Sequence, residues 1–307
     1  MAFIKDIYRD EIRSGWLVSS DIKKSWEKML QMWQEIDRIC QRYGITYWAY
    51  CGTLLGAARH GGFIPWDSDM DLCMMRPQYN IFCDAAEREM IREDGMFEIG
   101  CKNFNNFRIS MADTIMLGSD DLHERDDTKP YGMMIEVYPF DVAPDGTPEG
   151  NNAVMKLLEL LNCAGESGYQ RTAERVKNNA GTYNSWNVLE KFHALSNKAQ
   201  HDFYNDYAAT IFKESSAVGW IEDRIKAPHK IYFKEDFRKT IYLPFESVQM
   251  PAGIGYENVL AALYGDWHKL VYDNTFRIGS VYSPDIPYRE FLKTVDLEFM
   301  FPRKEEA

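Results

Sequence analysis

The stretch Cys51-Gly-Thr-Leu-Leu-Gly-Ala-Ala-Arg-His-Gly-Gly-Phe-Ile-Pro-Trp-Asp-Ser-Asp-Met-Asp-Leu72 decides how this chain is read. Asp67, Asp69 and Asp71 stand at a spacing of two. In an extended segment alternate side chains share a face, so all three carboxylates point the same way. Three crowded anions are unfavourable unless a positive charge neutralises them. A divalent cation does this economically, and hard oxygen ligands select Mg²⁺ or Mn²⁺ over zinc. Taken alone, a triple-Asp run fits a solvated turn or a calcium-like loop as well. The residues around it must therefore decide.

One strand covers only one side of an ion, so a metal site needs a carboxylate from a neighbouring strand. Glu136, flanked by Ile135 and Val137 in an apolar run, is that candidate, because an idle charge rarely occupies such a place. Gly52 and Thr53 offer a backbone N–H and a hydroxyl for phosphate oxygens at the start of a short helix. Arg59 and Arg108 are candidate clamps on transferring charge. Bland roles compete at each position. Arg59 and His60 suit the C-terminal cap of that helix, where cations are favoured. Trp66 suits packing that fixes the Asp run, and Arg108 suits a pair with a nearby acid.

Further along the chain, apolar residues at three- and four-residue steps (Trp26, Leu30, Trp33, Ile36, Cys40) predict a helix over 21–43. Ser20 is the expected cap and Gly44 the expected stop. Strands are expected at Ile45–Cys51, Asp69–Met75, Phe97–Cys101, Phe107–Leu117 and Met133–Tyr138. Leu54–Arg59 reads as a short helix or turn, and Pro77 opens a helix running to Asp94 that Gly95 ends. Pro139–Gly150 reads as a loop and as the place of a domain boundary. Helices are expected at 151–165 and 185–213, with Pro-containing loops at 244–255 and 284–287. The chain is thus divided into a catalytic core with its N-terminal helix (1–145) and a mainly helical region (146–307) that completes the substrate cleft.

The 35 Lys and Arg against 47 Asp and Glu give a formal charge of −12, which argues against a nucleic-acid binder. A nucleotide substrate remains open, because a metal bridges acidic protein to anionic phosphate. No apolar run approaches a membrane span, and the N-terminus lacks the apolar core of a signal peptide. The six cysteines have no CxxC pair and no His at zinc spacing, so they read as reduced thiols in a cytoplasmic protein.

The run Gly52-Thr-Leu-Leu-Gly-Ala-x-Arg-His-x-Gly-Phe-Ile-Pro-Trp-Asp-x-Asp-x-Asp71 resembles the signature of the LicD family of phosphorylcholine transferases. That family includes fukutin-related proteins and is similar to the nucleotidyltransferase fold. Phe107-Arg108-Ile109 with Thr114, Ile135–Asp141 and Tyr264-Gly265-Asp266-Trp267 resemble three further family segments. Two positions depart from the pattern: Glu136 stands where Asp is commoner, and Ser68 where an acid is frequent. The resemblance implies an α+β fold, with a nucleotidyltransferase-like mixed sheet core, flanking helices and a more helical C-terminal half.

It also implies transfer from a CDP-activated donor, most often CDP-choline, to a hydroxyl of a cell-surface glycan or glycolipid precursor, with CMP leaving. Ribitol, glycerol and ethanolamine phosphates are the alternative cargoes. Asp69, Asp71 and Glu136 are then the expected catalytic and metal-binding residues, with Asp67 as a further ligand or a loop anchor. Gly52, Thr53, Arg59, His60, Trp66, Arg108 and Asp266 are the expected substrate-binding positions. Gly265 is equally explained as the end of a helix beginning near Tyr256, which leaves Asp266 a structural alternative. The expected place of action is the cytoplasm or the inner membrane face. Competing functions are nucleotidyl transfer from an NTP, nucleotide-sugar glycosyl transfer at an Asp-x-Asp, and non-catalytic binding on the same scaffold.

Overall fold

The computed structural model describes residues 8–102, 106–118, 129–143, 186–196, 215–220, 230–272 and 281–294, with isolated residues between 160 and 223. A hairpin of β1 (Glu11–Arg13) and β2 (Trp16–Val18) comes first. Helix α1 (Ser20–Tyr43) follows, and its buried stripe of Trp26, Met29, Trp33, Ile36 and Cys40 repeats at three- and four-residue steps. Ser19, not Ser20, caps it: the Ser19 hydroxyl accepts from Ile22 N–H at 3.4 Å. Gly44, left-handed at φ 65°, ends it as expected.

The strand expected over Ile45–Cys51 shrinks to β3 (Trp48–Ala49), because the chain turns at Cys51 (φ 42°) into α2 (Cys51–His60). Strand β4 (Met70–Met75) leads into α3 (Arg76–Met90), which ends before Gly95 at Ile91. Strands β5 (Phe97–Lys102) and β6 (Phe107–Met111) form a hairpin. The strand expected to continue to Leu117 is broken: Thr114 donates its hydroxyl to Met111 O at 2.8 Å, and β7 (Ile115–Leu117) leaves in another sheet. Strand β8 (Met134–Val142) runs four residues beyond the expected end, through Pro139. Pro139 is tolerated because it falls between the β6 pairing, which ends at Val137, and the β9 pairing, which starts at Asp141.

Beyond residue 146 the described elements are α4 (Trp186–His193), β9 (Ala217–Gly219), β10 (Tyr232–Phe233), β11 (Thr240–Phe245), β12 (Val248–Gly253), α5 (Tyr256–Tyr264), β13 (Val281–Ser283) and α6 (Tyr288–Thr294). Apart from Leu160, which is helical, the helix expected at 151–165 lies outside the described residues, as does about half of that at 185–213, where the described helix α4 stops at His193. The segment expected as a Pro-containing loop at 244–255 is instead the β11–β12 hairpin, a two-stranded ribbon whose free edges accommodate Pro244 and Pro251. No described helix is long and apolar enough to cross a membrane.

The central sheet has seven strands. Along its main path the order is β10-β9-β8-β4-β3, and β6 lies beside the first half of β8 with β5 outside it. Strands β4 and β8 are parallel and the other pairings antiparallel, so this is the mixed sheet of an α+β fold. Side-chain alternation divides its two faces. Met70, Leu72, Phe107, Ile109, Ile135 and Val137 are wholly buried on one face, and α1 and α3 pack there. Asp71, Arg108 and Glu136 stand in register on the other. That second face is otherwise aromatic: Tyr50 packs edge-on against Phe140 at 4.9 Å and lies 6.1 Å from Tyr232. Strands from both sides of residue 146 thus share one sheet.

Candidate active site

The acids converge because of strand register. The parallel pairing of β4 with β8 sets Asp71 beside Glu136, and the antiparallel pairing of β6 with β8 sets Arg108 on Glu136's other side. Asp69 reaches the same cluster from the loop just before β4, while Asp67, in a turn closed on Ile64 O, lies outside it. The three acids are therefore not the alternating face of one strand, as the spacing led one to expect. Asp69, Asp71 and Glu136 each offer an oxygen, and these atoms lie within 4.8 Å of one another. The junction of β3 and α2 packs against them: Tyr50 N–H donates to Asp71 O at 2.9 Å, and Asp71 N–H donates to the Thr53 hydroxyl at 2.8 Å. Gly52 N–H points at the Asp71 carboxylate. A Cβ on Gly52 would overlap the Asp67 carboxylate, so only glycine lets Asp67 lie against the start of α2. The Gly52→Ala variant is expected to fold yet lose about 100-fold in kcat, the cost of a displacement near 1 Å. Steady-state kinetics beside circular dichroism test this, and an unchanged kcat contradicts it.

Electrostatics separates the three acids. Burial first, then the charges of Asp67 and Glu136, push the Asp69 carboxyl far above the usual carboxylate range. Burial, then Asp69, Asp67 and Glu136, do the same to Asp71, with the Gly52 N–H opposing them. Glu136 is held differently. Its Oε1 accepts from Arg108 Nη2 at 2.9 Å, Arg108 Nε at 3.1 Å and Asn106 Nδ2 at 2.9 Å, and its Oε2 accepts from the Tyr138 hydroxyl at 2.7 Å. Among the described residues no side-chain cation pairs with Asp69 or Asp71. Converging, partly buried carboxylates, with Arg108 pairing only Glu136 among them, are a donor set that fits a hard divalent cation.

A cleft of about 460 Å³ opens beside Asp71, lined also by Gly52, Asp67, Arg59, Trp66, Tyr264, Asp266 and Trp267. The expected substrate residues divide. Thr53 is buried and occupied by Asp71 N–H, and Arg108 braces Glu136 rather than facing the cleft alone. Arg59 ties α2 to the chain after α5, donating to the carbonyls of Trp267 and Lys269 at 3.0 and 2.8 Å. His60 accepts from Arg59 Nε at 3.0 Å, and burial with the adjacent Arg59 lowers it to about 4, so it is neutral and structural in character. Trp66 packs on Tyr272 at 4.7 Å and Trp16 at 5.8 Å while lining the cleft. Asp266 stands exposed on the rim.

Sequence reasoning passed over Tyr264. Gly265 (φ 66°) does end α5, as expected, and the tyrosine before it, 43% exposed, lines the cleft together with Asp67 and Asp71. Burial and the nearby Cys51, Asp71 and Asp67 push its hydroxyl up. Its place in the Tyr-Gly-Asp run was the available signal.

Residues 44–127 match the family model described as LicD/FKTN/FKRP, nucleotidyltransferase domain. Over these residues the chain is similar to a LicD-type nucleotidyltransferase domain. The LicD match contains Asp67, Asp69, Asp71 and Arg108, while Glu136 and Asp266 lie beyond it. The chain is similar to the lipopolysaccharide cholinephosphotransferase LicD of Haemophilus influenzae, 29% identical over 233 residues that make up 76% of this chain and 85% of that protein. It is also 56% identical to the ribitol 5-phosphate transferase FKRP of Mus musculus and of Homo sapiens, over 34 residues that make up 11% of this chain and 7% of each of those proteins.

Proposed function

We propose that this protein is a transferase that moves a phosphorylated alcohol, phosphocholine first, from a CDP-activated donor to a hydroxyl of a cell-surface glycan or glycolipid precursor. The observation that carries the reading is the convergence of Asp69, Asp71 and Glu136, of which Asp71 lines a cleft, inside and just beyond the segment that matches the LicD-type model. The named activities of the two kinds of relative, cholinephosphate and ribitol phosphate transfer, share a phospho-alcohol cargo. A cytoplasmic place of action, before the glycan is exported, belongs to this reading.

Asp69, Asp71 and Glu136 would hold Mg²⁺ or Mn²⁺, which when bound neutralises the pyrophosphate and the charge that develops as CMP leaves. The chain's own residues do the rest. Arg108, Asn106 and the Tyr138 hydroxyl fix the Glu136 carboxylate within 4.8 Å of the Asp69 and Asp71 oxygens. Trp66, Tyr264 and Trp267 wall the cleft and limit water around the donor. The acceptor oxygen forms its bond to the phosphorus that carries the alcohol as the bond from that phosphorus to the CMP oxygen breaks. The hydroxyl proton passes to a cleft carboxylate, and Asp67, which lines the cleft outside the converging trio, is available to take it. Positioning and charge neutralisation supply most of the rate.

The description of the matched family as a nucleotidyltransferase domain favours one second reading, transfer of NMP from an NTP to a small hydroxyl compound. Thermal unfolding with CDP-choline, CDP-ribitol, CDP-glycerol, CTP and a UDP-sugar, each with and without Mg²⁺ or Mn²⁺, separates them. A donor at 100 times its Kd raises stability by about 2.7 kcal/mol. The expected result is a metal-dependent shift with CDP-choline, followed by CMP release when acceptor is added. A shift with CTP and release of pyrophosphate would transfer the case to the second reading. No shift with any compound would favour a non-catalytic binding protein.

A further inference from the structure

The β11–β12 hairpin carries a residue that its turn does not explain. Glu246 begins the two-residue tip and sits at φ 51°, a left-handed conformation usually left to Gly or Asn. A glutamate there costs roughly 1–3 kcal/mol of backbone strain and persists only where its surroundings require it. Its surroundings are the segment that leads to the acids. Glu246 N–H donates to Gly61 O at 2.8 Å, and its carboxylate accepts from Phe63 N–H at 3.1 Å. Arg13 of β1 grips the same carboxylate with both guanidinium nitrogens, at 2.5 and 3.1 Å.

The segment has no slack. A Cβ on Gly62 would overlap the Glu246 carboxylate, and a Cβ on Gly56 would overlap Gly62 O. Phe63 is then stacked on Trp26 at 5.0 Å, with the Arg13 guanidinium over the Trp26 ring at 5.0 Å, and meets Phe245 at 4.7 Å. Four residues on, Asp67 N–H donates to Ile64 O at 2.9 Å, which turns the chain so that Asp67 meets Gly52.

We propose that Glu246 is a positioning residue for the acidic cleft: clamped by Arg13, it fixes the Gly61–Phe63 turn and so sets where Asp67 and Asp69 reach the metal-binding face. The N-terminal hairpin thereby becomes part of the catalytic apparatus. The inference rests on the reading of these acids as metal-binding.

The test uses full-length Glu246→Ala, Glu246→Gln and Arg13→Gln. The readouts are titration with Mn²⁺ alone, kcat and KM for the donor, and hydrogen exchange of peptides covering 61–70 and α1. Glu246→Ala is expected to weaken Mn²⁺ binding about 10-fold or more, as loss of an outer-shell partner does. It should lower kcat with little change in KM and speed exchange at 61–70 while α1 is unchanged. Glu246→Gln keeps an acceptor for Phe63 N–H and should recover most of the loss. A folded Glu246→Ala protein with native Mn²⁺ affinity and kcat overturns the proposal. If that variant does not fold, Arg13→Gln must show the same losses in smaller measure, and wild-type behaviour there overturns it. If the wild type binds no Mn²⁺, the metal reading fails by itself, and unchanged exchange at 61–70 in the variants would separately refute the positioning role.

Discussion

Replacing Asp71 with asparagine is expected to abolish transfer while making the metal-free protein more stable. Asp71 stands in register with Glu136 and lies beside Asp69, so three carboxylates crowd a partly buried site. Losing one ligand removes metal-borne charge stabilisation of several kcal/mol, or about 1,000-fold in rate. Without metal, the same substitution removes a repulsion. The sign follows from linkage. Burial and neighbouring charge raise the Asp69 and Asp71 carboxyls above their unfolded value of about 4. The folded state then binds more protons than the unfolded state, and stability falls as pH rises above that value. Metal-free wild type should therefore lose Tm from pH 4 upward, and Mn²⁺ should restore it. Asp71→Asn should show a flatter profile, a higher metal-free Tm at pH 7 and no restoration by Mn²⁺. Differential scanning calorimetry across pH, with and without Mn²⁺, reads all three. Turnover retained by this variant would sink the metal assignment, and a lowered metal-free Tm would sink the repulsion argument.

The convergence of Asp69, Asp71 and Glu136 was legible because it rests on two local rules. Close spacing keeps Asp69 beside Asp71 even though only Asp71 lies in β4, and an acid between β-branched residues marks a strand facing something charged. Helix α1 was legible from its apolar stripe, and its left-handed Gly44 stop from glycine's freedom at positive φ. What failed did so for stated reasons. Pro139 reads as a breaker, yet it lies where β8 has no partner on its open edge. Pro244 and Pro251 hid a hairpin for the same reason. The roles of Arg59, Arg108 and Glu246 depend on partners 208, 28 and 233 residues away, which no local pattern encodes. Thr53 offered a hydroxyl for phosphate, but the Asp71 N–H, brought to it by the β3–β4 pairing, takes it.

The second large effect is structural and lies at the other end of β8. Arg76 Nε and Nη2 donate to the two oxygens of Asp141 at 2.7 and 2.5 Å, with the side chains only 8% and 3% exposed. The pair joins the first residue of α3 to the last turn of sheet before Val142. A cation at a helix N-terminus is placed against the helix dipole, so Arg76 depends on its partner more than an ordinary buried arginine would. Asp141→Ala leaves that guanidinium buried with its bidentate carboxylate gone, beside the Tyr79 ring 5.2 Å away. The expected loss is about 3–5 kcal/mol, a large part of the roughly 5–15 kcal/mol that holds a typical domain together. Urea unfolding measures it as a lower midpoint at unchanged slope. The double replacement Arg76→Met with Asp141→Leu should recover most of the loss or exceed wild type, because burying two charges costs nearly what their attraction returns. If the double variant is as unstable as Asp141→Ala, the pair is worth more than its desolvation, and α3 needs it to dock on the sheet. If it recovers, the pair fixes the alignment of α3 on β8 rather than the stability of the fold.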